Sequence, residues 1–186
     1  VEEVMSETDI QGLMKYKPSP SKALRVMRGS ESGHAFLDMM SSPESGGDYN
    51  AFNTGGSSGG TVAHGSGYGS DASTKYGSDL TKMTVGQVMA LGTAKSNWIW
   101  AAGRYQIIPD TLRGLVRNHG IDKNDLFDEE MQDNLALLLA YARLNSGQGI
   151  NGLRNEWIGL RNVPAEVITA SLGEAYNNPQ VLLKGV

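Results

Sequence analysis

Two stretches carry the residue types best suited to acid–base chemistry. One is Glu44-Ser-Gly-Gly-Asp-Tyr-Asn-Ala-Phe-Asn53; the other is Ala102-Gly-Arg-Tyr-Gln-Ile-Ile-Pro-Asp-Thr111. Glu44 follows the apolar segment Ala35-Phe-Leu-Asp-Met-Met40. Phe36, Leu37, Met39 and Met40 give that segment, over Ser32 to Ser42, the apolar face of a helix. Glu44 then falls at or just past the C-terminal end, where the helix dipole disfavours a negative charge and raises a carboxyl pKa. A raised pKa is what a general acid needs near neutral pH. A single site built from both stretches requires the fold to bring them together across residues 54–101.

Competing chemistries are scarce. The chain has no Cys, which excludes thiol catalysis and Cys-based metal sites, and its three histidines (His34, His64, His119) are widely spaced without a ligand pattern. No metal or other cofactor is expected. Ser45 has no His within its motif, so a Ser-His-Asp set would have to be assembled from scattered residues. A net charge of −4 gives no electrostatic footprint for nucleic acid. No apolar run approaches the ~18 residues of a membrane-spanning helix, so neither nucleic acid nor membrane is an expected partner. The first thirty residues lack the basic-then-apolar order of a secretory signal. The start at Val1 is expected to reflect processing or a piece of a longer protein.

A chain of 186 residues, 39% hydrophobic and 19% charged, fits one globular domain with a real core. Residues 1–33 read as an N-terminal arm or linker. Short helices are expected at Val1–Met14 and Ser21–Arg28, interrupted by Pro18-Ser-Pro20. Residues 34–186 form the folded domain. Within it, Gly55 to Asp79 is too Gly- and Ser-rich to build a core and is expected as a flexible excursion or a short irregular hairpin on the rim of a cleft. Thr84-Val-Gly-Gln87 has the capping-box form ahead of a helix through Val85, Val88 and Met89. Pro109 opens a helix through Leu112, Leu115 and Val116, stopped near Gly120. Glu129 to Leu144 is the strongest helix, with Met131, Leu135, Leu138, Leu139 and Ala142 facing inward. A short apolar-sided segment at Gly152–Leu160 and a final helix at Pro164–Ala175, with Val167, Ile168, Leu172 and Ala175 inward, complete the pattern. The expected class is mostly α, a helical core with a small irregular β or loop lip.

The order of short motifs adds a family resemblance. Glu44-Ser45 with Asn50-Ala51 and Asn53, then Gly103-x-x-Gln106-x-x-Pro109-x-Thr111, then Ala175-Tyr-Asn177, is similar to the signature blocks of lysozyme-like lytic transglycosylases. Ala35-Phe-Leu-Asp-Met39 before Glu44, Ala102-Gly-Arg-Tyr-Gln106 and Trp157-x-x-Leu160 resemble the phage lambda endolysin type of that family more closely. The resemblance spans residues 34–178 and leaves the arm and the Gly-rich insert uncovered. It implies an α+β lysozyme-like fold and a peptidoglycan-degrading enzyme that cleaves the β-1,4 bond between N-acetylmuramic acid and N-acetylglucosamine. Glu44 would be the single catalytic carboxylate, and a 1,6-anhydro sugar the product. By the same resemblance Gln106 would bind substrate or orient Glu44, Tyr105 would form part of a sugar-stacking wall, and Tyr176 would reach Glu44 and steady its protonated state. Ser45 and Asn53 complete the expected substrate-binding set.

This chain departs from the family after Ala-Tyr-Asn, where Asn178-Pro179 replaces the usual small residue and glycine. It also carries Asn53 where phage lysozymes built on Glu, Asp and Thr place their aspartate. An amide there cannot act as a base. Hydrolytic glycosidases pair two carboxylates, so the substitution favours transglycosylation over a hydrolytic muramidase. A non-catalytic glycan-binding or structural virion module is the alternative of a different class. The implied partners are peptidoglycan glycan strands and, through the arm, other phage virion proteins. The implied setting is a phage virion or a lysis enzyme acting in the bacterial periplasm and cell wall. Trp98, Trp100 and Trp157 suit either packing or glycan contact.

Overall fold

The computed structural model describes residues 31–54, 62–63, 71–95 and 98–183. The helices expected at Val1–Met14 and Ser21–Arg28, His64, and most of the Gly-rich insert lie outside them. The order is α1 (Glu31–Ser45), β1 (Phe52–Asn53), β2 (Val62–Ala63), α2 (Asp71–Tyr76), α3 (Val85–Leu91), β3 (Ala101–Ala102), α4 (Pro109–His119), α5 (Glu129–Asn145), α6 (Gly149–Glu156) and α7 (Ala165–Leu172). Tighter 3-10 turns occupy Leu80–Lys82, Ile158–Asn162, Gly173–Tyr176 and Pro179–Leu183. The protein is mostly helical, as the apolar spacing predicts. Two compact units make it up: Val1–Glu44 with Asp133–Val186, and Ser45–Gln132.

The Ser45–Gln132 unit holds a three-stranded sheet in the order β2-β1-β3, both pairings antiparallel. Phe52 lies opposite Ala63 on one side and Ala102 on the other. The expected irregular β-lip is thus a hairpin of β1 and β2 with β3 added to its outer edge. α2 lies inside the Gly55–Asp79 stretch and corrects the expectation of a flexible excursion or irregular hairpin there: it is a helix that packs on the sheet, its Ala72 fully buried and its Tyr76 ring edge-on to Phe52 at 5.0 Å. The capping box at α3 forms in full: Gln87 N–H donates to the Thr84 hydroxyl at 3.1 Å, and Thr84 N–H donates to the Gln87 amide oxygen at 2.8 Å. α4 begins with Pro109 at its first turn and ends at Gly120 in the left-handed region, with Leu112, Leu115 and Val116 buried. The capping box of α3 and the start and stop of α4 were legible from local signals.

In the other unit, α1 runs further than its apolar spacing suggests. Pro43 is accommodated in its last turn, where a missing N–H costs one bond rather than a break mid-helix. Phe36, Leu37, Met40 and Ser41 are buried along it. Trp157 is 3% exposed and meets Phe36 edge-on at 5.9 Å, so it is a packing residue. Arg143 joins α5 to α6 through Glu156, with N···O distances of 2.7 and 3.0 Å.

Two helices differ from their expected form. α5 is buried continuously from Met131 to Leu138, while Ala142 is exposed. A helix enclosed all round shows no stripe, and the enclosed run includes Gln132, Asp133 and Asn134. α7 stops at Leu172 because Gly173 takes φ 54°, ψ −128°, a conformation open essentially to glycine. Val167 is exposed, and Ala175 is buried in the following 3-10 turn instead of in the helix.

Thr84→Ala removes one half of the capping box and strands the other. The expected cost is ~1 kcal/mol of stability, read as a lowered urea midpoint at unchanged m-value.

Candidate active site

Glu44 sits in the last turn of α1. Phe36, Met40 and Glu44 recur every four residues, so the carboxylate continues the buried face of its own helix. Its environment is accordingly half-buried, and burial pushes its pKa above the ordinary value of 4.5. One donor opposes that shift. The Gly159 N–H donates to Glu44 Oε1 at 2.8 Å and favours the ionised form. Among the described residues no cation or second carboxylate is bonded to Glu44.

Gly159 lies in the Ile158–Asn162 turn, between buried Trp157 and buried Leu160. A Cβ at this position would stand 2.7 Å from Glu44 Oε1 and 3.1 Å from the Pro43 Cβ. Only glycine lets the backbone N–H come this close to the carboxylate. The Trp157-x-x-Leu160 motif therefore has a physical function in this chain. Its two apolar residues fix the turn, and the glycine inside it meets the acid.

The Ala102–Gln106 run builds a second constellation, wholly within the Ser45–Gln132 unit. Ala102 and Ile107 exchange backbone hydrogen bonds of 3.0 and 2.9 Å, closing residues 103–106 into a tight loop. Gly103 and Gln106 both take positive φ, 82° and 49°. Gly103 N–H donates to Ala51 O at 2.7 Å, which joins the loop to the segment following Glu44. The Ser45 hydroxyl adds a second link, donating to Arg104 O at 2.6 Å while accepting from Gly47 N–H at 3.2 Å. Within this unit, Ser45–Asn53 and Ala101–Arg104 are thus hydrogen-bonded to each other through β1, β3 and these loop contacts.

A side chain that the sequence reading missed organises this loop. Gln132 is fully buried. Its amide oxygen accepts from Arg104 N–H at 2.9 Å, and its Nε2 donates to Tyr49 O and Phe127 O at 3.1 and 3.0 Å. A Cβ at Gly103 would lie 2.2 Å from the Gln132 amide oxygen. The available signal was a polar residue at an inward position of the strongest helix.

Several expected roles change in this geometry. Tyr105 has none of its surface exposed, so it offers no face to a sugar. Its hydroxyl accepts from Arg104 Nη1 at 2.8 Å, and the Arg104 guanidinium lies over the rings of both Tyr49 and Tyr105. Ser45 is 2% exposed and positions the loop instead of contacting substrate. Tyr176 is exposed in the Gly173–Tyr176 turn, and the hydrogen bond to Glu44 comes from Gly159, not from it. Asn53 lies in β1, its carbonyl accepting from Trp100 N–H at 2.8 Å. Asp48 spends one carboxylate oxygen on Asn50 N–H at 2.8 Å, closing its own turn.

Gln106 belongs to the same loop. Its Nε2 donates to Gly103 O at 2.9 Å, whereas its Oε1 is buried without a hydrogen-bond partner. A non-glycine residue at positive φ with an unsatisfied acceptor is costly, and such costs concentrate at functional sites. A donor group on a ligand would satisfy it. Among the described residues no group of three acidic, His or Cys side chains is placed to hold a metal ion, and no helix is long and apolar enough to cross a membrane.

No match is found for this chain among protein-family models, curated proteins or solved structures.

The raised pKa of Glu44 has a linked effect on stability. The native state holds this proton more tightly than the unfolded chain does, so stability falls as pH rises from 4.5 through the native value. Glu44→Gln is therefore expected to melt higher than the wild type above that window, the difference closing below pH 4.5. Carboxyl NMR should show Glu44 titrating above the ordinary range. In Gly159→Ala, with the stabilising donor displaced, it should titrate higher still.

Proposed function

We propose that this protein is a peptidoglycan-degrading enzyme of lysozyme-like fold, acting as a lytic transglycosylase with Glu44 as acid and then base. The observation that carries the reading is the state of Glu44: a carboxyl whose pKa is raised by burial and which accepts one backbone hydrogen bond. A single carboxylate is sufficient where the substrate brings its own nucleophile, whereas hydrolytic glycosidases use a second one about 5–9.5 Å away, and this chain carries Asn53 where phage lysozymes built on Glu, Asp and Thr place theirs. The motif order of the sequence supports the same choice.

In this mechanism protonated Glu44 donates its proton to the glycosidic oxygen between N-acetylmuramic acid and N-acetylglucosamine. The bond from muramoyl C1 to that oxygen breaks, and the leaving N-acetylglucosamine carries the proton away as a hydroxyl. The carboxylate then takes the proton of the muramoyl 6-hydroxyl as its oxygen bonds to C1. No water is consumed, and the product is a 1,6-anhydro sugar. Gly159 N–H suits both halves of the cycle. It is one donor, smaller in effect than the burial that raises the Glu44 pKa, yet it supports the carboxylate once the proton has left. Gln106 Oε1 is the acceptor proposed for a substrate N–H or hydroxyl. The proposed setting is a phage virion or lysis enzyme working on the bacterial cell wall, with the N-terminal arm as the contact to other virion proteins.

Digestion of purified sacculi tests the reading. The wild type is expected to release soluble muropeptides ending in anhydro-muramoyl groups by mass spectrometry. Reducing ends in their place would make the enzyme a hydrolytic muramidase, and no release would remove the catalytic reading. Glu44→Gln is expected to lower release by about 10²–10⁴-fold, the usual contribution of a general acid, while far-UV circular dichroism stays native. Gln106→Ala should raise KM more than it lowers kcat.

A further inference from the structure

Residues Trp98 and Trp100 leave much of their indole surface in solvent, at 39% and 48% exposed. Their exposure follows from the local backbone. Ile99, between them, is 1% exposed, and Ala101 is buried, the alternation of an extended segment whose successive side chains point to opposite sides. Both tryptophans therefore project from one side. The segment is also pinned: Ile99 N–H donates to Leu91 O at 3.1 Å at the end of α3, and Trp100 N–H donates to Asn53 O at 2.8 Å in β1. The rings stand 6.1 Å apart at an interplanar angle of 74°, so each keeps a face of its own.

These rings border an open groove of about 490 Å³, within the range of about 300–1,000 Å³ typical of small-ligand sites. Thr93, Ile108, Asp110 and Arg113 complete the part of its lining that matters here. Asp110 and Arg113 form an ion pair one turn apart on α4, and the Asp110 side chain is largely in solvent. The groove thus sets exposed apolar rings beside a carboxylate, a guanidinium and a hydroxyl. A pyranose has the matching surface, with an apolar C–H face to stack on indole and a rim of hydroxyls to donate to carboxylate and accept from guanidinium.

We propose that this groove is a carbohydrate-binding site for N-acetylated pyranose chains, with Trp98 and Trp100 as its stacking platform and Asp110 and Arg113 as its hydroxyl-binding edge. Because the backbone of the platform is fixed by bonds on both sides, binding orders little of the protein, which favours affinity. That the pyranoses are N-acetylated, as in peptidoglycan, rests on the catalytic reading above; the stacking and hydroxyl contacts do not.

Calorimetric titration of the full chain with N-acetylglucosamine tetramer tests the site. The wild type is expected to bind. Trp98→Ala and Trp100→Ala should each bind about tenfold more weakly, equivalent to ~1.4 kcal/mol, and the double variant should give no detectable heat while its circular dichroism stays native. Trp98→Phe and Trp100→Phe, which keep a stacking face, should recover most of the affinity. The proposal is overturned if the wild type takes up no tetramer or if the alanine variants bind as it does. It is overturned equally if the double variant alters the sedimentation of the protein and not its sugar binding, which would make the groove a protein contact. The two readings fail separately. Release of muropeptides without tryptophan-dependent binding sinks only the groove, and tryptophan-dependent binding without release sinks only the catalytic reading.

Discussion

The loops that carry the Ala-Gly-Arg-Tyr-Gln run have little regular structure to satisfy their backbone, and one buried amide does much of that work. Gln132 accepts from Arg104 N–H and donates to the carbonyls of Tyr49 and Phe127. These groups come from three separate segments, none paired there in a helix or long strand. Buried backbone polar groups cost free energy comparable to a lost hydrogen bond, so this side chain offsets a cost that the loop around Gly103 would otherwise carry. Gly103 has to be glycine for two reasons that coincide: its φ is 82°, and the Gln132 amide occupies the space of a Cβ. The strained φ of Gln106 and its unpaired Oε1 are tolerated because this frame over-determines the loop around them.

Glu44 depends on a different frame, built in the unit formed by Val1–Glu44 and Asp133–Val186. Its helix face sets its burial, and the Trp157–Leu160 turn sets its single donor. Desolvation and one hydrogen bond pull its pKa in opposite directions, and desolvation is the larger. That balance is suited to a group that must hold a proton before a reaction and tolerate charge after it. Asp48, the nearest acidic neighbour in sequence after Glu44, accepts a backbone hydrogen bond in its own turn.

Much of the fold could be read without coordinates. The capping box at Thr84, the Pro109 start and Gly120 stop of α4, and the helical class itself come from signals only a few residues long. The site was legible in part. Glu44 could be singled out, but apolar spacing ends its helix at Ser42, and only the continuation of α1 through Pro43 places Glu44 on the buried stripe of Phe36 and Met40. Tyr105 and Ser45, expected to contact substrate, proved to be buried supports. A short motif marks which residues matter without saying whether they touch a ligand or hold up those that do.

The amino-acid order by itself determined the helical periodicity, the single candidate acid, and the absence of thiol chemistry. These are properties of composition and near-neighbour spacing. The tertiary structure decided what Glu44 meets, because its donor Gly159 is 115 positions away, and no local pattern reports on such a pairing. It likewise decided that Gln132 is the hub of a loop, that Trp157 is core, and that Trp98 and Trp100 face solvent. Burial and long-range hydrogen bonding depend on which surfaces the fold brings together, and a side chain's chemistry is fixed only when that environment is.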